Sequence, residues 1–325
     1  MVAWAGTLDF GVVHPLAFLE CREGGGPMLE TLQTIVDDET FGAVEIAPIP
    51  DRVLRARVRA LLQEAALQVV YLPILPIIFA DLGIGSLDDA RRREAICRLQ
   101  ELIDQAIEFD APLAMVTGPR DPGPALRGAV AERLAEDFRE LCDYADHRAR
   151  RRRLHLTFEH FDRDIEKKRM IGPTTEAVML AEAVDRSNFG LTVDLSHLPL
   201  LGESSADAIR IAAPHLIHAH IGNCVADNSA IPFFGDFHPR FGHPEGRNDV
   251  PEVIEFLRAL QGADYFTRAR ARLDVTPILS MESRPNQMDH ESSATIIANG
   301  KRTFLRAWAC ASRKETRDGN VHGMV

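Results

Sequence analysis

Four short apolar runs in the second half of the chain each end in a side chain able to hold a metal or move a proton. They read Thr157-Phe158-Glu159-His160, Thr192-Val193-Asp194-Leu195-Ser196-His197, His218-Ala219-His220 and Ser280-Met281-Glu282. Parallel strands of one barrel would bring Glu159, Asp194, His220 and Glu282 to one face near the axis. Three carboxylates packed that closely repel one another and must take up protons unless a cation sits between them. An oxygen-rich set with one imidazole suits a divalent ion, with Mn2+ the expected cofactor and Mg2+, Co2+ or Zn2+ as alternatives. Taken singly, a strand-end Glu is more often solvated or salt-bridged, and a His in an apolar run is more often a hydrogen-bonded core residue. Four consecutive strands ending alike favour the shared metal.

The elements that must position these residues alternate along the whole chain. Apolar, β-branched runs at 7–12, 43–47, 69–72, 112–117, 154–159, 189–194, 216–221 and 277–282 read as strands. Amphipathic segments at 28–38, 52–63, 87–109, 125–150, 174–185, 205–213, 250–260 and 291–309 read as helices. In the third of these, Ser86 is the expected cap, with Ala90, Ile96, Leu99, Leu102, Ile103 and Ile107 on the buried face. Eight β-then-α units imply an α/β fold, a single-domain (β/α)8 TIM barrel over residues 1–313, with a mobile tail at 314–325. The open doubly wound alternative lacks a GxGxxG after its first strand, and no Walker A loop occurs. About 28 residues, 222–249, rich in Gly, Pro, His and Phe, separate the seventh strand from its helix. A connection that long is usually functional, and in a barrel it lies at the active-site end.

Composition excludes several classes. The chain has 325 residues, a net charge of −11 and 46% hydrophobic residues, which suits a globular core and disfavours general affinity for nucleic acid or anionic membrane. The longest apolar run, 69–80, is too short to span a bilayer and contains Pro73 and Pro76. No basic n-region opens the sequence, and the five cysteines are widely spaced without a CxxC pair. Reduced thiols and a cytoplasmic location are therefore expected. Arg148 and Arg150–Arg153 form the strongest basic cluster, read as a solvated helix end on the face opposite the site.

The strand-end set Glu159, Asp194-x-x-His197, His220 and Glu282 resembles the xylose isomerase-like barrel superfamily of sugar isomerases and epimerases. The resemblance covers essentially the whole chain, beginning at Val44-Glu45-Ile46. It implies Glu159, Asp194, His220 and Glu282 as ligands of one divalent metal, with His197 beside the substrate. Two departures bear on function. The superfamily's DNA-repair endonucleases hold three zinc ions with extra histidines, whereas the third and fourth strands here end Tyr71-Leu72-Pro73 and Thr117-Gly118-Pro119, and only Asp236-x-His238 imitates that pattern. The stretch Gly235-Asp236-Phe237-His238-Pro239-Arg240-Phe241-Gly242-His243-Pro244-Glu245-Gly246 resembles the subgroup containing the larger subunits of C-glycoside deglycosidases.

The expected function is a divalent-metal-dependent carbohydrate enzyme that abstracts a proton beside a carbonyl, stabilises the enediolate, and acts as an isomerase or epimerase. Glu159 or Glu282 would ligate through one oxygen and move the proton with the other. His160 and His238 are candidate acid/bases, Arg240 is a candidate substrate contact or a surface ion pair with Asp236 or Glu245, and Glu45 is a candidate hydroxyl contact or a core ion pair. A metal-dependent lyase cleaving 3-keto C-glycosides is the alternative, and a non-catalytic barrel serving as a binding or partner subunit is the third. The implied partner is a small sugar or glycoside, in a homo-oligomer or, for the lyase, with a small β subunit. The apolar stretch 71–76 and Phe233-Phe234 are candidate walls for an aromatic aglycone. Cys224 lacks a paired base and is not expected to be a nucleophile.

Overall fold

A computed structural model describes residues 4–313; the tail at 314–325 lies outside the described residues. Eight strands form a closed, all-parallel barrel in chain order: β1 (Asp9–Val13), β2 (Ala43–Ile46), β3 (Gln68–Tyr71), β4 (Leu113–Val116), β5 (His155–Glu159), β6 (Phe189–Asp194), β7 (Leu216–Gly222) and β8 (Ile278–Glu282). The principal helices are α1 (Met28–Val36), α2 (Arg52–Glu64), α3 (Asp89–Glu108), α4 (Arg127–Arg148), α5 (Thr174–Val184), α6 (Ser205–Ala212), α7 (Val250–Gly262) and α8 (Ser293–Ala311). The expected (β/α)8 barrel is therefore the observed fold, a single domain. Strands buried on both faces explain why these runs are continuously apolar rather than alternating.

Closure pairs β1 with β8, with Gly11 opposite Ser280. An aromatic stack seals that seam: Phe10 lies 4.0 Å from Phe304 of α8 and 5.6 Å from Phe41, with the Trp4 edge 4.8 Å from Phe304. Each such ring removes a large apolar area from water, so first strand and last helix hold each other in place.

Local chemistry departs from the sequence reading in three places. The cap of α3 is Asp88, whose carboxylate accepts from Ala90 and Arg91 N–H, while Ser86 accepts from Asp88 N–H one step earlier. Asp is as good a cap as Ser, and the turn brings Asp88 to the helix end. The apolar run 69–80 divides into β3 and a short helix, Ile74–Phe79, that folds over the barrel mouth. An extra helix, Tyr265–Leu273, precedes β8; its buried Tyr265 hydroxyl donates to Ile278 O at 2.9 Å. The basic cluster is paired at the helix end: Arg148 with Asp104 at 2.8 Å, and Arg153 with Asp146 at 2.7 Å. Among the described residues, no helix is long and apolar enough to cross a membrane.

Candidate metal centre

Strand register sets the centre. Asp194 of β6 lies opposite His220 of β7, Glu159 of β5 opposite Thr192, and Gly222 opposite Glu282 of β8. One ligand atom from each of Glu159, Asp194, His220 and Glu282 lies within 4.8 Å of the others. From His220 Nδ1 the distances are 3.4 Å to Glu159 Oε1, 4.0 Å to Asp194 Oδ2 and 2.8 Å to Glu282 Oε2. These four atoms are buried and have no partner in hydrogen-bond geometry, the His220–Glu282 approach included. Four converging orphaned donors are costly unless a cation joins them, so the residues present fit a divalent ion.

Electrostatics agree. Burial pushes the Glu159 carboxyl up to about 7, despite His220 and His197 nearby. Burial likewise raises Asp194, with the Glu282 charge adding to it. Glu282 goes the other way: burial would raise it, but His238 and His220 draw it down to about 2. Three adjacent carboxylates cannot all ionise without a counter-charge, and the protein's own cations satisfy only part of the need.

The ligand histidine is held from behind. Its Nε2 donates to Glu45 Oε1 at 2.9 Å, leaving Nδ1 for the centre, and His218 Nε2 reaches the same oxygen at 2.8 Å. Glu45 is fully buried; desolvation opposes its charge, yet His220 and His218 hold it well below the carboxylate range. A carboxylate behind a metal-facing imidazole fixes the tautomer and raises its basicity. Glu45, expected as a hydroxyl contact or a core ion pair, makes the ion pair, beneath His220 and among the buried residues of the barrel core.

A second buried group borders the ligands. Asp236 lies 3.2 Å from His197 Nε2, 3.1 Å from His238 Nε2 and 3.2 Å from Lys167 Nζ. Burial raises Asp236, but His238, Lys167 and His197 outweigh it and hold the carboxyl far below its usual value. Burial would neutralise His238, yet Asp236 and Glu282 push it up to about 9. His238 Nε2 is also 3.4 Å from Glu282 Oε1, linking this group to the ligands. Two glycines permit the approach. A Cβ on Gly222 would stand 3.2 Å from His238 Nδ1, and Gly235, at φ +100°, turns the loop where a Cβ would meet Glu166 at 2.6 Å. His197 anchors through Nδ1 to His160 O at 2.9 Å.

Glu159, His220, Asp236, His238 and Glu282 line a cavity of about 190 Å³, with Leu72, Ile74, Leu75, Phe161 and Phe237 among its apolar walls. Of the expected wall over 71–76, Leu72, Ile74 and Leu75 line the cavity, while Tyr71 turns outward to α3 and bonds Gln105 at 2.5 Å. Phe233 backs the wall, edge-on to Phe237 at 6.3 Å. A larger surface groove of about 560 Å³ between α4 and α5 contains none of these ligands.

Two candidates are not brought to the cavity. His160 is buried in the opposite direction, its Nε2 3.0 Å from Thr174 Oγ1, and burial lowers it to about 3. Adjacent strand residues face opposite sides, so Glu159 and its neighbour cannot share the site. Arg240 turns to Glu291 at 2.9 Å. Asp236, His218, Lys167 and Arg284 were not among the expected site residues. The Asp236-x-His238 and His218-Ala219-His220 patterns could have flagged the first two. Lys167 sits in a Glu-Lys-Lys run indistinguishable from a surface face; it is aimed inward because Asp162 accepts from Ile165, Glu166 and Lys167 N–H at 2.6, 2.7 and 2.9 Å. Cys224 is buried, its thiol pushed up by desolvation, which suits packing rather than nucleophilic attack.

A family model described as xylose isomerase-like TIM barrel matches residues 35–268. A search of curated protein sequences finds no match. Among solved structures, a D-tagatose 3-epimerase-like protein superposes with TM-score 0.70 at 16% identity, over 94% of this chain and 100% of its own. D-psicose 3-epimerase from Clostridium cellulolyticum H10, solved with D-tagatose, gives 0.65 at 17%, over 94% and 98%. The IOLI protein with a bound zinc atom gives 0.70 at 14%, over 94% and 100%. At these identities the likeness speaks for the fold.

Proposed function

The chain belongs to the xylose isomerase-like TIM barrel family, and on that premise we propose that it is a divalent-metal-dependent enzyme of keto-sugars, working by proton abstraction beside a carbonyl in the manner of a sugar isomerase or epimerase. The observation that carries the reading is the set of four orphaned ligand atoms from four consecutive strands, three of whose residues, Glu159, His220 and Glu282, line a cavity. Glu159, Asp194, His220 and Glu282 would hold the ion, Mn2+ being the best match to three carboxylates and one imidazole. When bound, such an ion supplies positive charge where a carbonyl oxygen gains negative charge.

The chain's own residues do the rest. Glu159 and Glu282 both line the cavity, so either carboxylate can exchange a proton with the substrate carbon. His238, in contact with Glu282 Oε1, can restore that proton. His197 and Asp236 keep His238 and the ligand shell in one orientation. The Ile74–Phe79 helix and Phe237 exclude water from one side of the cavity.

Incubation of the Mn2+-loaded protein with free ketoses in D2O tests this. Deuterium entering the carbon beside the carbonyl supports the reading; absence of both bound metal and exchange sinks it. The apolar wall favours one second reading, a lyase acting on 3-keto glycosides with an aromatic aglycone, for which released aglycone is the signal. A non-catalytic partner barrel would take up no metal at all.

A further inference from the structure

Arg284 and Arg22 line the same cavity, and among the described residues neither is in an ion pair. Arg284 lies two residues beyond the ligand Glu282, and its backbone N–H donates to His238 O at 2.9 Å, which ties it to the loop carrying Asp236 and His238. Its guanidinium packs on Phe237, 4.6 Å from the ring centroid, and on Phe233 at 5.5 Å. The Arg284 Nε is buried without an acceptor. Arg22 lies over the Phe79 ring at 4.9 Å, on the rim, where Phe79 is 62% exposed.

Among the described residues neither guanidinium forms an ion pair or a side-chain hydrogen bond. The third cation here, Lys167, is already engaged by Glu166 at 2.6 Å and Asp236 at 3.2 Å. The carboxylates that line the cavity are engaged elsewhere: Glu166 with Lys167, Asp236 with Lys167 and His238, and Glu159 and Glu282 around His220. The buried Arg284 Nε is thus left without the acceptor that an entering anion would supply. A planar fork held flat by aromatic rings is preorganised to grip two oxygens of a carboxylate or phosphate.

We propose that Arg284, assisted by Arg22, forms an anion subsite, and that the substrate is an acidic keto-sugar bearing a carboxylate or phosphate at the end remote from the reacting carbonyl. This rests on the metal-centre reading above, since the ion fixes which end of the molecule lies at the floor. Leu72, Ile74 and Leu75 line the same cavity and would cover the carbon chain.

Calorimetric titration of the Mn2+-loaded protein with D-fructose, 5-keto-D-gluconate and D-fructose 6-phosphate tests the subsite. Wild type should bind at least one acidic probe roughly tenfold to a hundredfold tighter than the neutral sugar, the range for charge-assisted hydrogen bonds. Whichever probe gains more identifies carboxylate or phosphate as the natural group. Arg284→Gln should erase most of that ratio, Arg284→Lys should keep part of it, and Arg22→Gln should reduce it less, because Arg22 is exposed. The Mn2+ affinity of each variant, measured alongside, separates a lost metal site from a lost subsite. No preference for either acidic probe, or a preference surviving Arg284→Gln (as direct binding to the metal would give), overturns the proposal. If no Mn2+ binds, the metal reading fails, and inorganic phosphate titrated into the metal-free wild type and Arg284→Gln proteins decides the subsite alone.

Discussion

Asp194→Asn isolates the charge that the metal centre needs from the shape that the barrel needs. Asp194 Oδ1 accepts the Ser196 N–H at 2.7 Å, and an asparagine oxygen can keep that bond. Its Oδ2 is the orphaned ligand atom, 4.0 Å from His220 Nδ1. Metal held at a hundredfold its Kd stabilises a folded protein by about 2.7 kcal/mol. Unfolding entropy of ~2.1 cal/mol/K per residue, over 325 residues, is ~0.7 kcal/mol/K, so Tm should rise by ~4 °C. Losing one of three carboxylate ligands should weaken binding by about a hundredfold or more. At the same metal concentration the variant then gains at most RT ln 2, about 0.4 kcal/mol, a shift below ~1 °C. Without metal, its Tm should equal or exceed that of wild type, because a repelled buried charge has gone. Scanning calorimetry with and without Mn2+, at a concentration set by titration of wild type, reads both quantities. A variant that keeps the full metal-dependent shift would refute the ligand assignment; Glu159→Ala, run beside it, should behave like Asp194→Asn.

Three further outcomes are expected. Glu45→Gln should lower Mn2+ affinity about tenfold to a hundredfold without abolishing it, because it weakens the support of His220 rather than removing a ligand; an unchanged Kd by titration would show that Glu45 serves packing alone. Asp162→Ala frees three backbone N–H groups and the loop that aims Lys167, and should cost about 1–3 kcal/mol by urea denaturation, with no loss there meaning the loop is held by other contacts. His14 and His155 are buried, desolvation lowering them from 6.5 to about 3 and about 4, so the unfolded chain binds protons that the fold refuses. Their contribution to stability is therefore lost as pH falls from 6.5 towards 4, at up to about 3 kcal/mol per pH unit for the pair. His155→Gln should flatten that slope by about 1.4 kcal/mol per pH unit, and an identical slope in the variant would contradict its neutral burial.

The barrel and the convergence of Glu159, Asp194, His220 and Glu282 were legible from the chain because both rest on local signals. Strand and helix periods repeat eight times, and a strand end puts its last inward residue at the mouth whatever the neighbours are. Those signals determine Glu159, Asp194, His220 and Glu282 as one set, and the long seventh connection as its border. They do not determine which neighbouring residue shares the site: His160 follows a ligand yet faces away, since alternate strand residues take opposite faces. Nor do they tell an inward loop cation from a surface one. Lys167 is aimed by the local Asp162 turn and paired with the distant Asp236, and Arg284 is laid on the distant Phe233 and Phe237. Glu45 shows the same limit, because only barrel closure brings it within 2.9 Å of a histidine 175 positions away. Sequence by itself determined the scaffold and the four side chains at its centre; the tertiary structure decided what surrounds that centre, because burial and charge pairing are properties of the folded neighbourhood and not of the segment.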